Sequence, residues 1–146
     1  MLNKVTRPQK ITRETILVVE DDPIVLRSVT SILENAGFSV LVAANSTEAI
    51  EIESGFGARI DLLLSDVMMP DMSGPVIAKL LKKYRPEMRV LMMSGYPEGG
   101  MLVQNSGWRF IKKPFVAAAL VEHVNAVLET PEPSPYEEPF KSAKAG

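Results

Sequence analysis

The sequence predicts an α/β fold, a doubly wound five-stranded parallel sheet with helices on both faces. Three observations carry this expectation. Short apolar runs alternate five times with amphipathic stretches between residues 15 and 129. The runs are continuous rather than alternating, as suits strands buried on both faces. The stretches between them place apolar residues at helical spacing, and several open on capping residues.

Taken in order, Ile16-Leu17-Val18-Val19 is the first run. Asp22 and Pro23 supply an N-cap and a proline at the first helical position. Val25, Val29, Ile32, Leu33 and Ala36 then recur at helical spacing, and Gly37 is placed to close the helix. Residues 38–43 read as a second strand. Asn45-Ser46-Thr47-Glu48 is a capping box for a short helix ending near Gly55. A third strand spans 60–65, and 76–84 is the core of a third helix. Strands follow at 88–93 and 108–111. A last helix spans 115–129, with Val116, Leu120, Val124, Val127 and Leu128 on one side.

At 146 residues, 46% hydrophobic and 23% charged, the chain has the size and balance of one soluble domain. The expected division is a flexible extension over 1–14, a domain over 15–129 and a flexible Pro-rich tail over 130–146, where Pro131, Pro133, Pro135 and Pro139 oppose regular structure. That tail reads as solvated chain or as a docking segment. A net charge of −2 gives no global attraction to nucleic acid or anionic lipid. No apolar run reaches the length of about 18 residues that a membrane helix needs, so a cytoplasmic location is expected and no membrane contact. With no Cys there is no disulfide framework and no thiolate metal site.

In parallel α/β sheets, ligands bind beyond the carboxyl ends of the strands. The first run leads into Glu20-Asp21-Asp22, the third into Asp66, the fourth into Ser94, and Lys113-Pro114 follows the fifth. If the first and third strands are neighbours, Glu20, Asp21 and Asp66 converge, and three carboxylates so close repel one another. A hard divalent cation resolves that repulsion, and oxygen ligands favour Mg2+ or Mn2+. Taken singly, an acidic pair after a strand is also a solvated loop or an N-cap, and Lys-Pro is also a turn. Their joint occurrence, each at its own strand end, is what points to a site.

Four ordered motifs resemble the response-regulator receiver family of two-component signalling. They are 16–23, ending in Glu20-Asp21-Asp22-Pro23; 61–74, with Asp66 and Pro70 to Gly74; Met92-Met93-Ser94-Gly95-Tyr96; and Phe110-Ile111-Lys112-Lys113-Pro114-Phe115. The resemblance covers about residues 14–129. It implies a flavodoxin-like sheet of strand order 2-1-3-4-5, in which Asp66 accepts a phosphoryl group. It further implies that Asp21 and Asp66 bind Mg2+ directly, that Glu20 helps through water, and that the Met68 backbone carbonyl adds a ligand. Lys113 is then the lysine that pairs with a phosphoryl oxygen, Lys112 points to the other face, and Ser94 donates to the phosphoryl group. The same resemblance implies a cis bond before Pro114.

Two features depart from the family pattern. The aromatic switch position holds Phe110, which lacks a hydroxyl. Its inward state is favoured by burial alone, up to roughly 2–3 kcal/mol, and a permanently buried core Phe is the alternative. The segment between Ser94 and Trp108 contains Pro97, Gly99 and Gly100, so a short or irregular fourth helix is expected there. That weakens the expectation that the neighbouring face serves dimerisation; a homodimer is left open. His123 reads as a surface residue of the last helix rather than a phosphoryl acceptor.

The resemblance implies a signalling switch and not an enzyme, with self-phosphorylation and autodephosphorylation at Asp66 as its chemistry. The implied donor is a histidine kinase or a histidine phosphotransfer protein. Only 17 residues follow Glu129, so no direct DNA binding is expected and output passes through protein contact or onward transfer. Three competing functions fit this sequence less well. An aspartate-nucleophile phosphatase of the haloacid-dehalogenase type needs a second acid where this chain has Met68. A flavodoxin-like cofactor binder needs a hydroxyl- and Gly-rich loop where it has three acids. A constitutive scaffold would not need the acidic, Ser and Lys set.

Overall fold

A computed structural model describes residues 13–95 and 108–130. Its elements run β1 (Thr15–Val19), α1 (Pro23–Asn35), β2 (Ser39–Ala43), α2 (Ser46–Gly55), β3 (Leu62–Asp66), α3 (Gly74–Lys82), β4 (Arg89–Ser94), β5 (Arg109–Lys112) and α4 (Ala117–Glu129). The expected irregular helix after Ser94 and most of both terminal extensions lie outside the described residues.

The strands form one parallel sheet in the order β2-β1-β3-β4-β5. Successive side chains on a strand point to opposite faces, and both faces here are apolar. Ile16, Val18, Leu62, Leu64, Leu91 and Met93 pack with Val29 and Leu33 of α1 and with Leu120 and Val124 of α4. On the opposite face Leu17, Val19, Leu63, Val90 and Met92 pack with Ala49 of α2 and with Ile77, Ala78 and Leu81 of α3. This two-sided burial is why the strands read as unbroken apolar runs.

The caps fix where helices begin. Asp22 accepts from the N–H of Ile24 (2.9 Å), and Asn45 accepts from that of Glu48 (2.9 Å). The capping box closes one residue early, because the Glu48 carboxylate takes the Ala44 N–H (2.7 Å) rather than that of Asn45. Gly37 adopts φ 102°, the left-handed conformation that ends α1. Helix α3 takes in most of the expected core and starts at Gly74, since Ser73 caps it and Pro75 follows at the start of the first turn. Helix α4 starts two residues late, at Ala117. The third strand is shifted along to Leu62–Asp66, so Asp66 is its last residue rather than the residue after it.

Candidate functional site

The order of the sheet reverses between β1 and β3, and both strands run out at the same end. β1 delivers Glu20 and Asp21, and β3 delivers Asp66. One carboxylate oxygen from each lies within 4.8 Å of the others. Asp21 is exposed, whereas Glu20 and Asp66 are buried. A buried carboxylate needs partners. Glu20 has two: its Oε2 accepts from the Asp22 N–H (3.0 Å) and its Oε1 from Lys113 Nζ (2.8 Å).

Lys113 enters from the residue after β5. Its backbone N–H donates to the Ser94 carbonyl (2.8 Å), which ties it to the end of β4. Its Nζ bridges Glu20 and Asp66 Oδ2 (3.1 Å). The Lys113–Pro114 peptide is cis, and Lys112 is exposed. Asp66 Oδ1 accepts from the Met68 N–H (3.3 Å). Ser94 is the last residue of β4 and is fully buried. Phe110, half-buried on β5, packs with Trp108 against the core on the α2/α3 face.

Burial pushes the Glu20 carboxyl above the usual carboxylate range, against its hydrogen bonds from Lys113 and Asp22. Burial also acts to lower the Lys113 pKa, but the hydrogen bond to Glu20 and the charge of Asp66 outweigh it, so the net shift is upward. The ammonium therefore stays charged. Three carboxylates formally exceed this one ammonium by two negative charges, the charge of one divalent cation. Oxygen donors, clustered and in part solvent-facing, fit a hard cation such as Mg2+ or Mn2+.

Lys113→Ala leaves Glu20 and Asp66 facing one another without a counter-charge. In metal-free buffer it should cost about 2 kcal/mol, below the value for a fully buried pair because the pocket is partly open. Thermal melts with and without MgCl2 check this: the gap from wild type narrows when the salt is added.

Sequence reasoning gave no role to Asp71, Ser46 or Gly74, which also shape this end of the sheet. Asp71 stands in a turn beside Pro70, and Ser46 lies inside the capping-box pattern of 45–48. Gly74 opens α3 against the back of Asp66. His123 is half-buried, with Nδ1 against the Ala119 carbonyl (2.9 Å) one helical turn earlier.

Fold and pocket together define a flavodoxin-like α/β domain with an acidic pocket at the switch point of its sheet. The chain belongs to the response regulator receiver domain family, whose family model matches residues 16–125. It is 35% identical over 118 residues to sensor kinase CckA of Brucella abortus (strain 2308), a match covering 79% of this chain and 12% of the kinase. It is 31% identical over 117 residues to chemotaxis protein CheY of Bacillus subtilis (strain 168), covering 77% of this chain and 96% of that one. The crystal structure of the receiver domain from hybrid histidine kinase CckA matches with a TM-score of 0.68 at 35% identity, covering 79% of this chain and 99% of that one. The chain spans between 12% and 27% of the first curated relatives it matches. Among the described residues, no helix is long and apolar enough to cross a membrane.

Proposed function

We propose that this receiver domain accepts a phosphoryl group on Asp66, with Mg2+ bound, from a histidine kinase or a histidine phosphotransfer protein. The observation that carries the reading is the convergence of Glu20, Asp21 and Asp66 within 4.8 Å of one another, with Lys113 Nζ bridging two of them. Asp21 and Asp66 would hold the cation directly, Glu20 through water, and the Met68 carbonyl would add a ligand. Mn2+ would serve in its place. Bound there, the cation would neutralise charge on the equatorial phosphoryl oxygens.

The protein's own part is alignment. An Asp66 oxygen attacks phosphorus in line, one P–O bond forms as the donor's P–N bond breaks, and the electron pair leaves with the donor imidazole. Lys113 pairs with one phosphoryl oxygen and Ser94 donates to another. The movement of Ser94 lets Phe110 settle further inward, which changes the surface offered to a partner. The output is altered protein–protein contact or transfer of the group onward. The similarity to the receiver of a hybrid kinase supports the second. The domain is thus a switch, whose own chemistry is self-phosphorylation and autodephosphorylation at Asp66, beside any transfer of the group onward.

The test is incubation with MgCl2 and acetyl phosphate, followed by intact mass measurement. Wild type should gain one phosphoryl group and Asp66→Asn none. No gain by wild type, or equal gain by the variant, overturns the reading.

A further inference from the structure

The loop after Asp66 is held by backbone bonds at both ends: Val67 N–H donates to the Met93 carbonyl (2.9 Å) and Gly74 N–H to that of Val67 (2.8 Å). Between them lies Met68, whose carbonyl the proposed cation site uses. The loop reaches a remote element through Asp71. One oxygen of this exposed residue, Oδ2, accepts from both the backbone N–H (3.1 Å) and the hydroxyl of Ser46, the first residue of α2. Ser46 is buried. A carboxylate here also faces a helix N-terminus, where N–H groups lack partners within the helix. Its carboxyl is held below the usual range, chiefly by the Ser46 hydrogen bond.

The other end of the same turn is tied to the acidic loop. The Ala43 carbonyl accepts from the Glu20 N–H (3.1 Å), and the Ala44 N–H is fixed by Glu48 (2.7 Å). The β2–α2 turn therefore runs as a short strut between two loops. One carries Glu20 and Asp21, the other Met68.

We propose that Asp71 and Ser46 are positioning residues that set the affinity of the Asp66 pocket for its divalent cation, by holding the Met68 loop at a fixed distance from Glu20 and Asp21. The inference rests on the cation site proposed above and adds a determinant of its affinity. Mg2+ demands ligand distances of about 2.0–2.1 Å in near-octahedral geometry, so a loop released at Asp71 registers as weaker binding. Asp71 is not among the clustered carboxylates and its side chain is engaged by Ser46, so it acts through the backbone of residues 68–71.

Two measurements test it. The first is calorimetric titration with MnCl2 and no phosphodonor. The second is the MgCl2 dependence of acetyl phosphate labelling, read by intact mass. Asp71→Ala and Ser46→Ala should each raise the Mn2+ dissociation constant and the half-saturating Mg2+ about tenfold, the usual effect of losing an outer support of a metal ligand. Labelling at saturating Mg2+ stays near wild type. Asp71→Asn keeps an acceptor oxygen and recovers most of the affinity. A purely structural role would lower melting temperatures and leave both constants unchanged, and that result overturns the proposal. If wild type binds Mn2+ but takes no phosphoryl group, the acceptor reading fails and calorimetry still decides the strut. If wild type binds no Mn2+, both fall.

Discussion

Arg85→Ala should melt well below wild type, with a loss of about 3–5 kcal/mol and a fall in Tm on the order of 10–15 °C. Arg85 lies between α3 and β4, and its guanidinium is a clamp on the end of α2. It donates to the carbonyls of Glu53 (3.0 Å), Phe56 (2.7 Å) and Ala58 (2.7 Å), and to the Glu53 carboxylate (3.2 Å). The last carbonyls of a helix have no partner within it. Helix α2 has no basic residue in its own last turn, so the distant Arg85 supplies the donors. Truncation leaves these carbonyls unpaired and Glu53, itself buried, without a counter-charge. Arg85→Lys keeps the charge but loses the planar fork, and recovers less than half of the loss. Thermal and urea denaturation followed by circular dichroism measure both. A loss under about 1 kcal/mol would mean that water replaces the guanidinium at no cost.

The second large effect is expected at Gly74. A Cβ there would overlap the Asp66 carbonyl oxygen and stand 2.9 Å from Met92 Sδ. The thioether can swing aside; the backbone of a fully buried central strand cannot. The backbone φ is not the issue, since Gly37 alone among the described glycines takes a positive value. What Gly74 supplies is close approach: it brings the start of α3 against the strand end that carries Asp66. Gly74→Ala should cost about 2–3 kcal/mol by overpacking and displace Asp66 from its alignment. Misplacement of about 1 Å at a reacting group can cost roughly 100-fold in rate. Acetyl phosphate labelling of the folded variant should slow by at least tenfold, even at saturating MgCl2. This sets it apart from the Asp71 variants, whose labelling recovers when MgCl2 is raised. Labelling at the wild-type rate would show that α3 yields without moving Asp66.

The fold class, the places where strands and helices alternate, and most of the helix starts are legible in the sequence. These signals are local: apolar runs, helical spacing, Asp22 and Asn45 as caps, Gly37 as a stop. The sequence also puts Glu20 and Asp21 together at one strand end, and Asp66, Ser94 and Lys113 at three others. How those residues meet depends on the packed fold. Lys113 reaches Glu20 across 93 positions and Asp66 across 47; Arg85 closes α2 across 27 to 32; Asp71 reaches Ser46 across 25. Nothing within a few residues of Arg85 or Asp71 announces such a partner, because parallel topology brings the ends together only after whole strand–helix units have crossed over. The same physics explains the small boundary errors. A capping side chain marks a helix start in the sequence, and α4 begins after Val116 with no side-chain cap hydrogen bond to mark it. Local pattern thus names the residues of the pocket, and the crossover geometry sets which of them are buried, paired and charged.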